Sequence, residues 1–167
     1  MYEKIERYVV KIIPHKGYEV TGYWQDDIHD LKSRIVFDYK TYKIIEAEVE
    51  AEKTPFSICS EGINCIKNLI GKQVGPGFYK TVKSELMSPE GCIHVGELVM
   101  GSVKAAIQAA SREIPEWVDI EDYKTRWEAW GSIYKDKCIF FAQPDAETKA
   151  LKMLHECKNK HQGQKAI

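Results

Sequence analysis

Length, composition and charge place this chain among ordinary globular proteins. Its 167 residues suit one domain with a proper core, and a hydrophobic fraction of 44% is typical of such domains. The formal net charge of -1 gives no sign of nucleic-acid or membrane binding. No apolar run is long enough to span a bilayer, and the N-terminus lacks the apolar core of a signal peptide. Five scattered cysteines argue against a disulfide framework, so we expect a cytoplasmic protein with reduced thiols.

The first third of the chain predicts four antiparallel strands. Residues 8–13 and 18–24 are rich in β-branched and aromatic side chains and are separated by a turn. A third strand is predicted over 31–37 and a fourth over 42–52. In the fourth strand, apolar residues alternate with glutamates: Ile45, Ala47, Val49 and Ala51 against Glu46, Glu48, Glu50 and Glu52. This alternation predicts one buried face and one solvated face.

The rest of the chain predicts mainly helices. Apolar residues at helical spacing indicate, in chain order, the segments 61–70, 78–86, 92–111 and 120–130, followed by a short strand at 137–141 and a final helix after Pro144. In that final helix, Leu151, Leu154 and Cys157 would face inward. The tail also places His155, Cys157 and His161 at metal-like spacing, but its Lys- and Gln-rich composition indicates a frayed end.

The start of the predicted long helix carries the most reactive side chains. Cys92, His94 and Glu97 bring a thiol, an imidazole and a carboxylate together, and the last two share a helix face. Ser88 and Pro89 supply a cap and a favoured first helical residue, which places Cys92 in the first turn. There the free N–H groups and the helix dipole favour a thiolate. The alternative is that Cys92 is a small core residue beside two solvated side chains.

Possible metal ligands concentrate in three segments at the ends of predicted elements, where functional groups usually lie. The candidate ligand set is His29 and Asp30 before the third strand, Cys59 after the fourth, and Cys92 and His94 at the long helix. A mixture of Cys, His and carboxylate suits zinc or ferrous iron and, less well, an iron–sulfur cluster. Glu97 would orient a ligand or act as an acid or base.

Two other interpretations stay open. In the first, the protein is a metal-free cysteine enzyme with Cys92 as the catalytic nucleophile, His29 or His94 as general base, and an Asp that orients the base. No local signature such as a nucleophile elbow supports that interpretation. In the second, the protein is a non-catalytic binding or assembly module. Its partner surfaces would then be the glutamate row of the fourth strand and the aromatic C-terminal helix.

Several short motifs resemble those of an uncharacterised bacterial domain family. They are Ile45-Glu46-Ala47, Thr54-Pro55-Phe56-Ser57-Ile58-Cys59, Leu69-Ile70-Gly71, Gly75-Pro76-Gly77-Phe78 and Gly91-Cys92-Ile93-His94-Val95-Gly96-Glu97-Leu98. The family hallmark is Gly-Cys-Thr-His-Leu-x-Glu-Leu after a Pro-x-x-x-Cys loop, with a His-Asp pair upstream that His29-Asp30 matches. Here Ile93 replaces the Thr and Val95 replaces the Leu. The resemblance spans residues 7–112 and implies site residues without implying a reaction.

The order of these features is also similar to that of iron–sulfur scaffold proteins of the IscU type. Those proteins hold iron, zinc or a cluster with one Asp and three Cys or His positions. Lys104-Ala105-Ala106-Ile107 lies where their long helix would place such a run. The first Cys of the scaffolds has no equivalent, because Asp27 stands where that thiol is needed. With a thiol replaced by harder ligands, the resemblance implies a mononuclear metal rather than cluster assembly.

These features together predict an α+β protein. An antiparallel sheet of about four strands would pack on helices in an IscU- or NifU-like layer, with a core domain at 1–114 and a helical extension packed on it at 115–167. The predicted function is a bacterial metal-binding domain that holds iron or zinc and serves a small-molecule enzyme or metal and iron–sulfur handling. A protein partner or a homodimer is also compatible with the sequence. The sequence leaves open whether the protein is an enzyme.

Overall fold

A four-stranded antiparallel sheet forms the first part of the fold. The computed structural model describes residues 1–112 and 114–153. The strands are β1 (Ile5–Ile13), β2 (Gly17–Gln25), β3 (Asp30–Asp38) and β4 (Ile44–Lys53). Each strand pairs with the next one along the chain, in the order β1-β2-β3-β4. The predicted α+β fold with a four-stranded antiparallel sheet is therefore confirmed.

Helices follow the sheet. They are α1 (Cys59–Gly62), a 3-10 helix (Ile63–Leu69), α2 (Phe78–Leu86), α3 (Ile93–Ala110) and α4 (Ile120–Tyr134). The segment predicted as one helix over 61–70 is thus a short α-helical turn that continues as a 3-10 helix. Its buried residues Ile63, Ile66 and Leu69 recur every third position, which matches the three-residue turn of a 3-10 helix. The strand predicted at 137–141 is wrong, because these residues form turns and bends.

The main core lies between one face of the sheet and the helices. It joins Val20 and Ile35 of the sheet to Val95 and Val99 of α3, all of them fully buried. Gly22 of β2 allows α3 to approach closely. A Cβ at this position would lie 3.1 Å from Leu98 Cδ1 and would also crowd two serine hydroxyls. The buried stripe predicted along α3 is confirmed at Val95, Leu98, Val99, Ser102, Val103, Ala106 and Ala110.

The other face of the sheet carries a network of ion pairs. The Arg34 guanidinium on β3 contacts Glu19 on β2 at 2.6 Å and Glu46 on β4 at 2.8 Å. Lys32 pairs with Glu50 in the same way. The glutamate row of β4 is solvated as predicted, but basic neighbours balance part of its charge.

The inward alternation of β4 differs from the prediction at its first residues. Ile44 is fully buried, whereas Ile45 is 36% exposed. The register with β3 shifts between Val36 and Phe37, so that Phe37 faces Ile44 while Val36 faces Glu46. A shift of this kind exchanges the inward and outward positions of a strand. Ala47 then lies inward as predicted.

The chain divides into two compact units, Met1–Gln108 and Ala109–Ile167. In the second unit, the Asp119 side chain caps α4 by accepting a hydrogen bond from the Glu121 backbone N–H. Tyr123 and Trp127 of α4 are buried, as the aromatic stripe predicted. The predicted boundary between residues 114 and 115 stays a prediction.

The final helix is described over residues 146–153. Leu154, Cys157 and the metal-like pattern of His155, Cys157 and His161 lie outside the described residues. Within the described ranges, no helix is long and apolar enough to cross a membrane.

The chain segment between α2 and α3 requires a glycine at position 91. A Cβ at Gly91 would lie 2.1 Å from the Leu86 carbonyl oxygen, and the Cys92 N–H donates to this same oxygen at 2.7 Å. Because the clash is with backbone, we expect Gly91→Ala to lower the free energy of unfolding by about 1–3 kcal/mol. Urea unfolding followed by circular dichroism measures this loss.

Gly75→Ala is the matched control for Gly91→Ala. Nothing lies within 4 Å of a Cβ at Gly75. Its unfolding free energy should therefore change by no more than about 0.5 kcal/mol. Equal stabilities of the two variants would contradict the close packing at Gly91.

Candidate functional site

The Asp26 carboxylate organises the turn between β2 and β3. Its Oδ1 accepts hydrogen bonds from the backbone N–H groups of Ile28 at 2.9 Å and His29 at 2.7 Å, and its Oδ2 accepts from the Trp24 indole at 3.0 Å. The Tyr2 hydroxyl donates to the same Oδ2 at 3.3 Å. The Asp26 N–H in turn donates to the His29 carbonyl at 3.0 Å, which closes the turn. The Asp26 side chain is only 3% exposed, so this carboxylate is a structural centre.

The same carboxylate fixes the imidazole of His29. His29 Nδ1 lies 3.0 Å from Asp26 Oδ1 and 3.1 Å from Oδ2. A carboxylate only accepts hydrogen bonds, so Nδ1 carries a proton, and in the matching neutral tautomer the lone pair is on Nε2. His29 is itself buried. The pair is therefore an oriented imidazole with one nitrogen available for a ligand or a proton.

His94 of α3 packs directly on this pair. The ring centroids of His29 and His94 are 4.1 Å apart with the rings tilted by 47°. Trp24 meets the His94 ring edge-on, with the centroids 5.1 Å apart. The structure thus brings His29 and His94, two of the candidate ligands, together from distant parts of the chain.

Cys92 completes the cluster at the start of α3. Its Sγ lies 4.0 Å from His94 Nδ1. The Cys92 carbonyl accepts the Gly96 N–H at 3.1 Å, which is the first turn of the helix. Cys92 is half-buried and packs against the main core. We call Asp26, His29, Cys92 and His94 the Cys–His cluster.

Electrostatics set the protonation states within the cluster. Burial alone would raise the pKa of Asp26, but the hydrogen bonds from Trp24 and from the Ile28 and His29 backbone outweigh it and hold that pKa far below its ordinary value. Burial, together with the neighbouring His29, lowers the pKa of His94 against the opposing charges of Glu97 and Asp26. At neutral pH, Asp26 is therefore ionised and His94 is neutral.

Three predicted site residues lie outside this cluster or at its rim. Asp30 accepts a hydrogen bond from the Gln25 side chain at 2.9 Å on the exposed side of the β2–β3 ladder. Cys59 is the first residue of α1 and is half-buried. Glu97 is exposed and lies one turn after His94, where its negative charge partly offsets the lowering of the His94 pKa.

Two residues in or beside the cluster are not among the predicted site residues. Asp26 accepts hydrogen bonds from the N–H groups two and three residues later, which is a recognisable turn signal. Cys65 packs against the main core. Burial raises the pKa of its thiol, and a backbone hydrogen bond from Cys92 partly offsets that rise. No sequence pattern pairs Cys65 with Cys92, because the contact depends on how the helices pack.

The cluster is a set of neighbours and not a closed coordination shell. Within residues 1–112 and 114–153, no three His, Cys, Asp or Glu side chains are grouped as ligands around one point. The arrangement has three soft or borderline donors, one in the turn before β3 and two at the start of α3, and Asp26 fixes the first of them. Chemically, it offers metal ligation or thiol–imidazole proton transfer.

The comparisons with known proteins bear on the same part of the chain. Residues 15–108 match the family described as "Protein of unknown function (DUF2889)", which is more than half of the chain. The chain belongs to this family. Asp26 and every predicted site residue lie inside the DUF2889 region. No curated protein and no solved structure matches the chain. The prediction of an uncharacterised domain family is confirmed, and that family's description names no reaction.

The role of Asp26 can be tested by Asp26→Asn. The amide has one acceptor oxygen and cannot accept from the backbone N–H groups of the turn and from the Trp24 indole together. We therefore expect the free energy of unfolding to fall by about 1–3 kcal/mol at neutral pH. Because the pKa of Asp26 is lowered on folding, its contribution is present above the ordinary carboxyl pKa and is lost on acidification through the lowered folded-state pKa. Urea unfolding over a pH series measures both effects.

Asp27→Asn is the matched control, because Asp27 is exposed and is the next residue along. It should leave stability nearly unchanged across the pH series. If the gap between the wild type and Asp26→Asn does not narrow on acidification, the proposed role of the Asp26 charge is wrong.

Proposed function

We propose that this DUF2889 protein binds a transition-metal ion, zinc or ferrous iron, through His29, Cys92 and His94. The observation that carries this proposal is the Asp26–His29 hydrogen bond of 3.0 Å beside a second imidazole and a thiol. Imidazoles that ligate metals almost always donate their other N–H to a carboxylate or carbonyl, which fixes the tautomer and the ring orientation. Asp26 would be that outer partner, and His29 Nε2 the inner ligand.

The donor chemistry of the cluster fits these ions. Imidazole and thiolate ligands suit zinc and iron, and both histidines can present a neutral nitrogen. In a tetrahedral zinc site, a sulfur and a nitrogen ligand are roughly 3.5 Å apart. The Cys92 Sγ and His94 Nδ1 atoms are 4.0 Å apart, so a small side-chain adjustment would bring both onto one ion.

Metal binding would require His94 or Cys92 to change rotamer, because their donors do not yet point at one centre. Both side chains are half-buried at the first turn of α3, whereas Asp26 holds the buried His29 in place. Three protein ligands would leave one position of a tetrahedral ion open. An open position is typical of catalytic zinc sites and suits a protein that passes its metal on.

Sequence similarity adds support by analogy. Cys92, His94 and Glu97 occupy the polar positions of the Gly-Cys-Thr-His-Leu-x-Glu-Leu hallmark, and His29 opens the upstream His-Asp pair. The order of ligand-bearing elements is similar to that of IscU-type scaffolds, which extends the proposal to metal or iron–sulfur handling. Free thiols of this kind persist in a reducing compartment, so the cytoplasm is the proposed location.

Metal titration of the reduced protein without air tests the proposal. We expect the wild type to bind one equivalent of Zn²⁺ or Fe²⁺, and Cys92→Ser and His29→Gln to lose at least tenfold in affinity. Asp26→Asn should lose about 10- to 100-fold, since outer-shell partners of ligating histidines contribute this much. Elemental analysis and competition with a chromophoric chelator give the values.

Cys138→Ser is the control, because Cys138 is an exposed thiol in the second unit. It should bind metal as the wild type does. Equal affinities for the wild type, Cys92→Ser and His29→Gln would refute the site.

A metal-free cysteine enzyme is the second candidate, and the 4.0 Å approach of Cys92 Sγ to His94 Nδ1 favours it. His94 would accept the thiol proton, and the resulting thiolate would attack an electrophilic substrate. The Asp26–His29 pair would then orient His94 through ring packing.

Alkylation kinetics distinguish this candidate from metal binding. In metal-free protein at neutral pH, iodoacetamide should label Cys92 at least tenfold faster than Cys59, and His94→Gln should remove that advantage. Peptide mass spectrometry over a time course measures each thiol separately. Equal rates for the two thiols would exclude an activated Cys92.

A further inference from the structure

A second thiol lies next to Cys92, outside the proposed ligand set. Gly62 is the last residue of α1, and it lies against the segment that leads into α3. A Cβ at Gly62 would lie 2.8 Å from the Gly91 carbonyl oxygen and 3.9 Å from Cys92 Cβ. Cys65 follows three residues later in the 3-10 helix, where residues three apart are eclipsed. Cys65 therefore projects from the side of the helix that faces Cys92.

Packing places the two thiols in the same part of the core. Cys65 and Cys92 are both half-buried and both pack against the main core cluster. Cys92 is also among the neighbours that shift the pKa of the Cys65 thiol. No side chain separates the two chain segments at their closest approach, because Gly62 and Gly91 meet there. Contact between the two backbone segments is a precondition for a disulfide, whose Cα atoms lie about 4.4–6.8 Å apart.

We infer that Cys65 and Cys92 are a redox pair that closes to an intramolecular disulfide when a hydroperoxide oxidises the protein. One thiolate attacks the peroxide, so that an S–O bond forms and the O–O bond breaks. The leaving group takes a proton: hydroxide from hydrogen peroxide becomes water, and alkoxide from an organic hydroperoxide becomes an alcohol. The second sulfur then attacks the sulfenic acid, which forms the S–S bond and releases a further water. The two sulfurs together lose two electrons, and the peroxide gains them.

The disulfide would act on the metal site. Cys92 supplies the only sulfur of the proposed ligand set, so oxidation would remove the thiolate ligand. This consequence rests on the proposed function, whereas formation of the disulfide does not. Oxidation would thus release the ion, and a thiol reductant would restore binding.

The test is to oxidise the reduced, chelator-treated full chain with one equivalent of hydrogen peroxide and then block the remaining thiols with N-ethylmaleimide. We expect free thiols to fall from five to three, with a mass loss of two hydrogens before blocking. Trypsin should release residues 54–67 linked to residues 84–104, and a reductant should separate them. Peptide 54–67 contains both Cys59 and Cys65, so the mapping is repeated on Cys59→Ser to assign the bond.

Cys65→Ser and Cys65→Ala are the decisive variants, and Cys59→Ser is their matched control. The Cys59 variant should form the linked peptide, whereas neither Cys65 variant should. A bond from Cys59 to Cys92, or oxidation of Cys92 to a sulfinic acid while Cys65 stays free, would overturn the inference. Because the metal is removed first, failure to bind zinc in a separate titration overturns only the proposed function. Circular dichroism confirms that each variant is folded.

Discussion

The buried carboxylate of Asp26 is the interaction on which the site depends. It accepts hydrogen bonds from the Trp24 indole, from two backbone N–H groups of the turn and from the His29 ring. A buried charge is stable only when its oxygens are satisfied, and here the turn between β2 and β3 supplies three donors, with Trp24 of β2 and Tyr2 supplying the others. The same contacts hold His29 where His94 can pack on it. The geometry of the turn and the position of the imidazole are thus set by a single charge.

The fold could be predicted in outline because its signals are local. Alternation identified the strands, and the apolar stripe of α3 identified both its length and its buried face. The exceptions arise where long-range packing overrides the local pattern. Ile44 replaces Ile45 as the inward residue because the register shifts beside Phe37. The three-residue spacing of Ile63, Ile66 and Leu69 selects a 3-10 helix in place of an α-helix.

The candidate site could be predicted in part. The structure brings His29, Cys92 and His94 together, because each lies at the end of an element that packs against the same core. Asp30 is not with them, since it starts β3 and bonds to the Gln25 side chain across the ladder. Asp26 and Cys65 are not among the predicted site residues, because residue type alone does not show which carboxylate is buried or which helices pack together. Turn geometry decides the first, and packing between distant segments decides the second.

The sequential order of the strands has a consequence for how this region folds. Each strand pairs with its neighbour in the chain, so the sheet forms through short loops whose closure costs little conformational entropy. His29 and Cys92 are instead more than sixty residues apart, and they meet only when α3 docks on the sheet. Docking of α3 on the sheet therefore forms the contacts between residues far apart in the chain, and the Cys–His cluster is assembled with it. An ion bound across His29 and Cys92 would close that long loop and hold the helix to the sheet.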